Sequence, residues 1–185
     1  MQAINESAGS YSRLAVGFGL HNWEALIHHL RQLPYGRTSD RNRLELVLLE
    51  NRGSCSSKHA LAYAICQEQG WKEWQLTIGM YRMNGQNTPG VGVVLATSPL
   101  SFIPEAHCYL ARGEERLDIT KPNSDFAQLA ADIMEEIPIE ANQVGGWKVN
   151  FHRNYLRKWK DQQKDLSMSF EELWSLREAC IAALS

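Results

Sequence analysis

The chain has 185 residues, 44% of them hydrophobic and 22% charged, with 19 lysines and arginines against 21 aspartates and glutamates and a formal charge of -2 at pH 7. That length suits one domain able to enclose a core, the near-neutral balance excludes a global field for nucleic acid or anionic lipid, and no apolar run approaches the roughly 20 residues of a membrane span. The N-terminal stretch MQAINESAGSYSRLAVGFGL lacks a basic segment followed by a long apolar one, so the expected compartment is the cytoplasm, where Cys55, Cys66, Cys108 and Cys180 are expected to stay reduced.

Asn22 can cap a helix through WEALIHHLRQL, which Pro34 ends, and Ser39 or Asp40 can cap a second, RNRLELVLLE. Ser54 has the side chain of an N-cap for a third helix from Cys55 to Gln69, alanine-rich and closed by Gly70 in a left-handed position. Its Ala60, Leu61, Ala64 and Ile65 recur at three- and four-residue steps and define an apolar face. From Trp74 the pattern becomes alternating, and WQLTIGMYRM, GVVLAT, EAHCYLAR and ERLDIT read as strands divided by Gly, Pro and Asn turns. The remainder reads as helical: SDFAQLAADIMEE, a basic aromatic stretch from Trp147 to Lys160, and SFEELWSLREACIAAL, which Ser169 and Glu172 open at capping-box spacing. The order of elements predicts a single α+β domain over residues 1–185, a helix packed on an antiparallel sheet with flanking helices and no internal repeat.

Cys55 falls on the first position of the third helix, where unpaired N–H groups and the positive end of the peptide dipoles favour a thiolate. Lys58, three residues on, can add to that effect. Cysteine chemistry on amides and esters also needs an acid to protonate the leaving group. Of six histidines, His107 lies on a predicted strand followed by a turn and an acidic strand. The hairpin register tests the pairing. A turn at Arg112–Gly113 sets His107 directly opposite Asp118; a turn at Gly113–Glu114 sets Asp118 opposite Tyr109, with His107 its diagonal neighbour on the same face. A three-residue turn without a bulge sends the two side chains to opposite faces.

GSCSSKHALAYAICQEQG, EAHCYL and RLDIT, in the order Cys, His, Asp and in the context helix, strand, strand, resemble the transglutaminase-like cysteine enzymes, a superfamily with a papain-like core. The resemblance covers about residues 44–120 and leaves a helical C-terminal part, about 124–185. The chain departs from the family in a short His-to-Asp connection and in Cys108, where an aromatic such as Trp often follows the histidine. The resemblance implies that Cys55 attacks an amide or ester carbonyl, His107 shuttles the proton and Asp118 fixes the imidazole tautomer. It further implies a thioester intermediate resolved by water or an amine, and a peptide or small-molecule acyl substrate with no cofactor and no metal. The Cys55 N–H is the natural first oxyanion donor, with Asn51 or Tyr35 as candidates for a second. The absence of a dedicated amine-substrate module points to hydrolysis over cross-linking. The competing expectation is a non-catalytic interaction module that keeps this fold as a binding groove.

Plainer readings stand beside these. Cys66, Cys108 and Cys180 read as small buried hydrophobes, and His107 with Asp118 can be a structural pair in a hairpin. A metal site would draw on Cys55, His59, Glu105 and His107, but no CxxC or HExxH spacing is present. His28 and His29 read as surface or core-edge residues, and His21 and His152 carry no specific signal. Trp147, Phe151, Tyr155 and Trp159 recur every four residues among Lys148, Arg153, Arg157, Lys158 and Lys160. This is read as a helix packing an aromatic stripe on the sheet with solvated cations, in preference to a surface for RNA, membrane or an acidic partner.

Overall fold

A computed structural model describes residues 2–184. In chain order these form α1 (Ser10–Gly17), α2 (Trp23–Gln32), α3 (Leu46–Leu49), α4 (Cys55–Gln69), β1 (Gln75–Met83) and α5 (Val91–Leu95). They continue with β2 (Ile103–Arg112), β3 (Glu115–Leu117), α6 (Ala127–Ala130), β4 (Ile133–Pro138), α7 (Gly146–Gln162) and α8 (Phe170–Ala182). The architecture is α+β. One antiparallel sheet in the order β3-β2-β1-β4 carries helices on its faces. No helix among the described residues is long and apolar enough to cross a membrane.

The α4 helix starts and stops where its residue types dictate. Ser54 Oγ accepts the Ser57 N–H at 3.3 Å while Ser57 Oγ accepts the Ser54 N–H at 3.0 Å, a reciprocal cap, and Gly70 closes the far end at φ 71°. Instead of one apolar face, every residue from Ser57 to Cys66 is buried, so α4 is the central core helix. Leu61, Ile65, Leu76, Ile78 and Leu110 join it to the sheet in one apolar cluster with α1 and α2. Lys58 is wholly inside and survives there because its ammonium donates to the carbonyls of Leu33 at 2.6 Å and Thr120 at 2.8 Å. A second cluster joins Met83, Val91, Leu95, Leu156, Leu173 and Cys180, seating α5, α7 and α8 at the other end of the sheet.

Four expected elements differ. GVVLAT is helix α5, because Val91 and Leu95, four apart, are both buried against α8, while Thr97 and Ser98 hydroxyls donate to the Val94 and Leu95 carbonyls and close the helix. A short apolar run does not distinguish the two periods by itself. SDFAQLAADIMEE holds only the four-residue α6 and then becomes β4, since β1 has an unoccupied edge that residues 133–138 fill. Pairing overrides the helical propensity of that stretch. RNRLELVLLE is helical only at Leu46–Leu49: Asp40 Oδ1 accepts the Asn42 N–H at 2.8 Å and makes a turn rather than a cap, and Asn51 ends α3 in the left-handed region at φ 52°. In α7 the innermost row is Lys148, His152 and Leu156; Phe151 and Tyr155 are partly buried beside it and Trp147 remains exposed. The cations are therefore not all solvated.

Glu105 on β2 and Arg177 on α8 form a buried two-pronged ion pair, Nε to Oε2 at 2.7 Å and Nη2 to Oε1 at 2.5 Å, that fastens the last helix to the strand carrying His107. Removing one partner leaves an uncompensated buried charge, whereas removing both does not. Arg177→Met is therefore expected to cost about 3–5 kcal/mol in chemical denaturation, and Glu105→Gln/Arg177→Met is expected to cost less than the single variant.

Candidate active site

The hairpin between β2 and β3 pairs Arg112 with Glu115, Ala111 with Arg116 and Leu110 with Leu117. The turn is therefore Gly113–Glu114, the second of the two even-length alternatives, with Gly113 supplying the left-handed φ of 53°. The ladder ends at Leu117. Asp118 follows immediately, on the same face as His107, and its Oδ2 lies 2.7 Å from His107 Nε2. Both side chains are nearly inaccessible, 11% and 5% exposed. Asp118 is held from two further sides: its Oδ1 accepts the Thr120 N–H at 2.8 Å, and its carbonyl accepts from Arg31 at 3.0 Å.

Because β3 pairs only with Leu110–Arg112, the edge of β2 from Ile103 to Tyr109 has no strand partner on that side. The N-terminus of α4 comes in there. The Cys55 sulfur is influenced by the Cys108 backbone and the His107 imidazole beside it, and since Nε2 is occupied by Asp118, Nδ1 is the nitrogen left for the sulfur. Cys55 itself is half-buried. No acceptor for the Cys55 or Ser56 N–H exists among the described residues, and both stand at the positive end of a 15-residue helix.

Electrostatics follow from these neighbours. Burial alone would raise the Cys55 thiol, but the Lys148 ammonium, the His107 hydrogen bond and charge, and the Cys108 N–H outweigh it and bring the thiol down to about 6. Burial likewise opposes charge on His107; Asp118 and the Cys55 thiolate overcome it and raise the imidazole well above its ordinary range. Asp118 goes the other way: despite burial, His107 and His59 beside it hold its carboxyl well below the usual range. Thiolate and imidazolium thus stabilise each other between the two titrations.

Lys58 shares the expected support of the thiolate with a second lysine. Its ammonium is held by two carbonyls and burial lowers its pKa to about 8, with the Cys55 charge acting to raise it, while Lys148 heads the charges that lower Cys55. Lys148 reaches in from α7, is 9% exposed, and donates to Ser56 Oγ at 2.7 Å. Asn51 is exposed in its turn and lines neither cavity at Cys55, so only Tyr35 of the two oxyanion candidates stands in the cleft. Burial raises the Tyr35 phenol and keeps it a donor.

His59, which the sequence offers only as a candidate metal ligand, is instead a structural link in the site. One helical turn below Cys55, its Nδ1–H donates to the Cys55 carbonyl at 2.6 Å and its Nε2 accepts the Ile119 N–H at 2.8 Å. Both nitrogens are used, which sets the tautomer; burial lowers the ring to about 4 and keeps it neutral. It links the helix of the cysteine to the loop of the aspartate. With Glu105 committed to Arg177, two of the four residues of a conceivable metal site are already engaged. The one signal for His59 was its four-residue offset from Cys55; for Lys148 it was the row with His152 and Leu156.

Two cavities open on either side of Cys55, of about 320 Å³ and 390 Å³, sharing Tyr35, Cys55, Glu105 and Ile181. The first is bordered by Arg37, Arg41 and Lys148; the second by Tyr81, His107, Asp118 and Asn123. No family model, curated protein or solved structure matches this chain.

The charge balance at Cys55 makes a pH prediction. A thiol lowered to about 6 stays ionised at neutrality, so alkylation by iodoacetamide is expected to hold its rate from pH 8 to about 6.5 and to fall below that. Lys148→Met removes a cation that favours the thiolate and is expected to move the midpoint of this profile upward, as is His107→Gln. Cys66, whose thiol burial pushes up to about 12, is expected to stay unlabelled until the chain unfolds. Mass-resolved labelling across pH checks all three.

Proposed function

We propose that this chain is a transglutaminase-like cysteine enzyme with a papain-like core, which hydrolyses an amide or related acyl bond through a thioester. The observation that carries the reading is the 2.7 Å bond between His107 Nε2 and Asp118 Oδ2 on one side of an imidazole whose other side meets a thiol at a helix N-terminus. A structural hairpin pair has no need of a half-buried sulfur with a depressed pKa, nor of cavities on both sides of it.

In this mechanism the Cys55 thiolate adds to the substrate carbonyl carbon and the carbonyl π pair moves onto oxygen. The Cys55 N–H and the Tyr35 hydroxyl are the donors available to that oxyanion. His107 Nδ1–H gives its proton to the leaving nitrogen as the C–N bond breaks, which releases the amine and leaves a neutral thioester. Neutral His107 then takes a proton from water, and the hydroxide adds to the thioester. Collapse expels the thiolate and yields the carboxylic acid, so one amide and one water give one acid and one amine. Asp118 holds the ring with Nδ1 toward the sulfur and stabilises the imidazolium without itself taking the proton. His59 acts through others, as a positioning residue between Cys55 and Ile119.

A panel of peptide amides and small amides, read as amine or ammonia release, tests the reading. Turnover is expected in the intact protein, to vanish in Cys55→Ala, and to fall about 10²–10⁴-fold in His107→Ala and in Asp118→Asn. Release that persists in Cys55→Ala would overturn Cys55 as the nucleophile, and slow, equal alkylation of all four thiols would favour a non-catalytic binding module.

A further inference from the structure

The cavity of about 320 Å³ beside Cys55 has an unusual charge inventory. It is lined by Arg37, Arg41, Lys148 and Arg177 against only two carboxylates, Glu105 and Glu178. Both carboxylates are consumed locally: Glu105 takes the two-pronged bond from Arg177, and Glu178 accepts from Arg177 at 2.5 Å and from Arg37 at 3.1 Å. Lys148, nine-tenths buried, has a hydroxyl as its hydrogen-bond partner and no carboxylate. Arg41 has no ion pair or side-chain hydrogen bond among the described residues; burial and the charges of Arg37 and Arg177 work against its own charge, which Glu178 favours from beyond hydrogen-bond reach.

Like charges gathered without neutralising partners cost free energy unless something of opposite sign visits them. The Cys55 thiolate offsets Lys148 in the resting state, but a thioester is neutral. Acylation therefore leaves the cavity more positive than before. Guanidinium groups suit such a visitor because their planar donors match the oxygens of a carboxylate or a phosphate. The second cavity differs in kind: Asp118, Asp125 and Lys121 are joined there by Thr88, Pro89 and Leu129, with no comparable excess of cations.

Resting on the proposed acyl-transfer chemistry, we propose that the substrate carries an anionic group, a carboxylate or phosphate, that seats against Arg41 and Arg37 while its scissile carbonyl lies at Cys55. The neutral remainder of the substrate runs toward the His107 side. The two cavities thus divide one substrate by charge.

Two alkylating agents with the same leaving group and opposite character decide this without knowledge of the substrate. Iodoacetate carries a carboxylate and iodoacetamide does not. At pH 7 and low ionic strength the ratio of their rates at Cys55 is expected to fall about tenfold from the intact protein to Arg41→Gln and further in Arg37→Gln/Arg41→Gln, and to shrink in high salt. Inorganic phosphate and glutarate at millimolar concentration are expected to slow iodoacetamide labelling of the intact protein and not of the double variant. Protection by only one of them names the headgroup. A ratio unchanged in Arg41→Gln, with rapid iodoacetamide labelling intact, overturns the anion pocket and leaves the thiolate standing. Slow labelling by both reagents overturns the enzyme reading itself. Arg41 is exposed and outside any ion pair, so its single variant decides the matter even where loss of the Arg37–Glu178 pair disturbs α8.

Discussion

The bond between His107 and Asp118 depends on a count of two. With two residues in the turn after Arg112, Asp118 leaves β3 on the face of the sheet that bears His107; with three and no bulge it would leave on the other. The same short β3 has a second consequence. It stops pairing at Leu110, so the edge of β2 ahead of it is open, and the N-terminus of α4 can bring a sulfur to the Cys108 N–H and the imidazole. A longer β3 would have paired the backbone that the cysteine now meets.

Charge inside this region is tolerated because it is matched. Asp118 faces His107 and Glu105 faces Arg177 within hydrogen-bond reach, and the Lys148 charge acts on the Cys55 sulfur, so each buried charge meets one of opposite sign. Lys58 and His59, equally enclosed, are satisfied by backbone groups instead: Leu33 and Thr120 carbonyls for the one, the Cys55 carbonyl and the Ile119 N–H for the other. These two therefore hold the helix to the loops that flank it, while the matched ions set protonation states.

Much of the site was legible before any coordinates. Ser54 and Gly70 mark the ends of α4, and the alternation around His107, with Gly113 downstream, limits the hairpin to a few registers, two of which bring Asp118 to the imidazole. Lys148 was not legible, since a lysine in a basic stretch beside four regularly spaced aromatics looks solvated; only the seating of α7, with Lys148, His152 and Leu156 innermost, turns it toward Cys55. For Lys58, nearness in sequence points to a charge that supports the thiolate, and the Cys55 charge does act on it, but the two distant carbonyls that hold its ammonium are visible only in the fold. Asn51 looked like an oxyanion donor by proximity and is instead the left-handed residue that ends α3.

The sequence alone therefore determined what depends on neighbours along the chain: caps, turns, the start of the α4 helix and the face on which each strand residue points. Tertiary structure decided whether VGVVL coils or extends, whether residues 133–138 complete a sheet, which cation accompanies the cysteine and which arginines collect beside it. The division has one physical cause. Local signals arise from backbone geometry and side chains within a turn or two, whereas burial, edge pairing and long-range charge are set by segments that meet only after the chain has closed on itself.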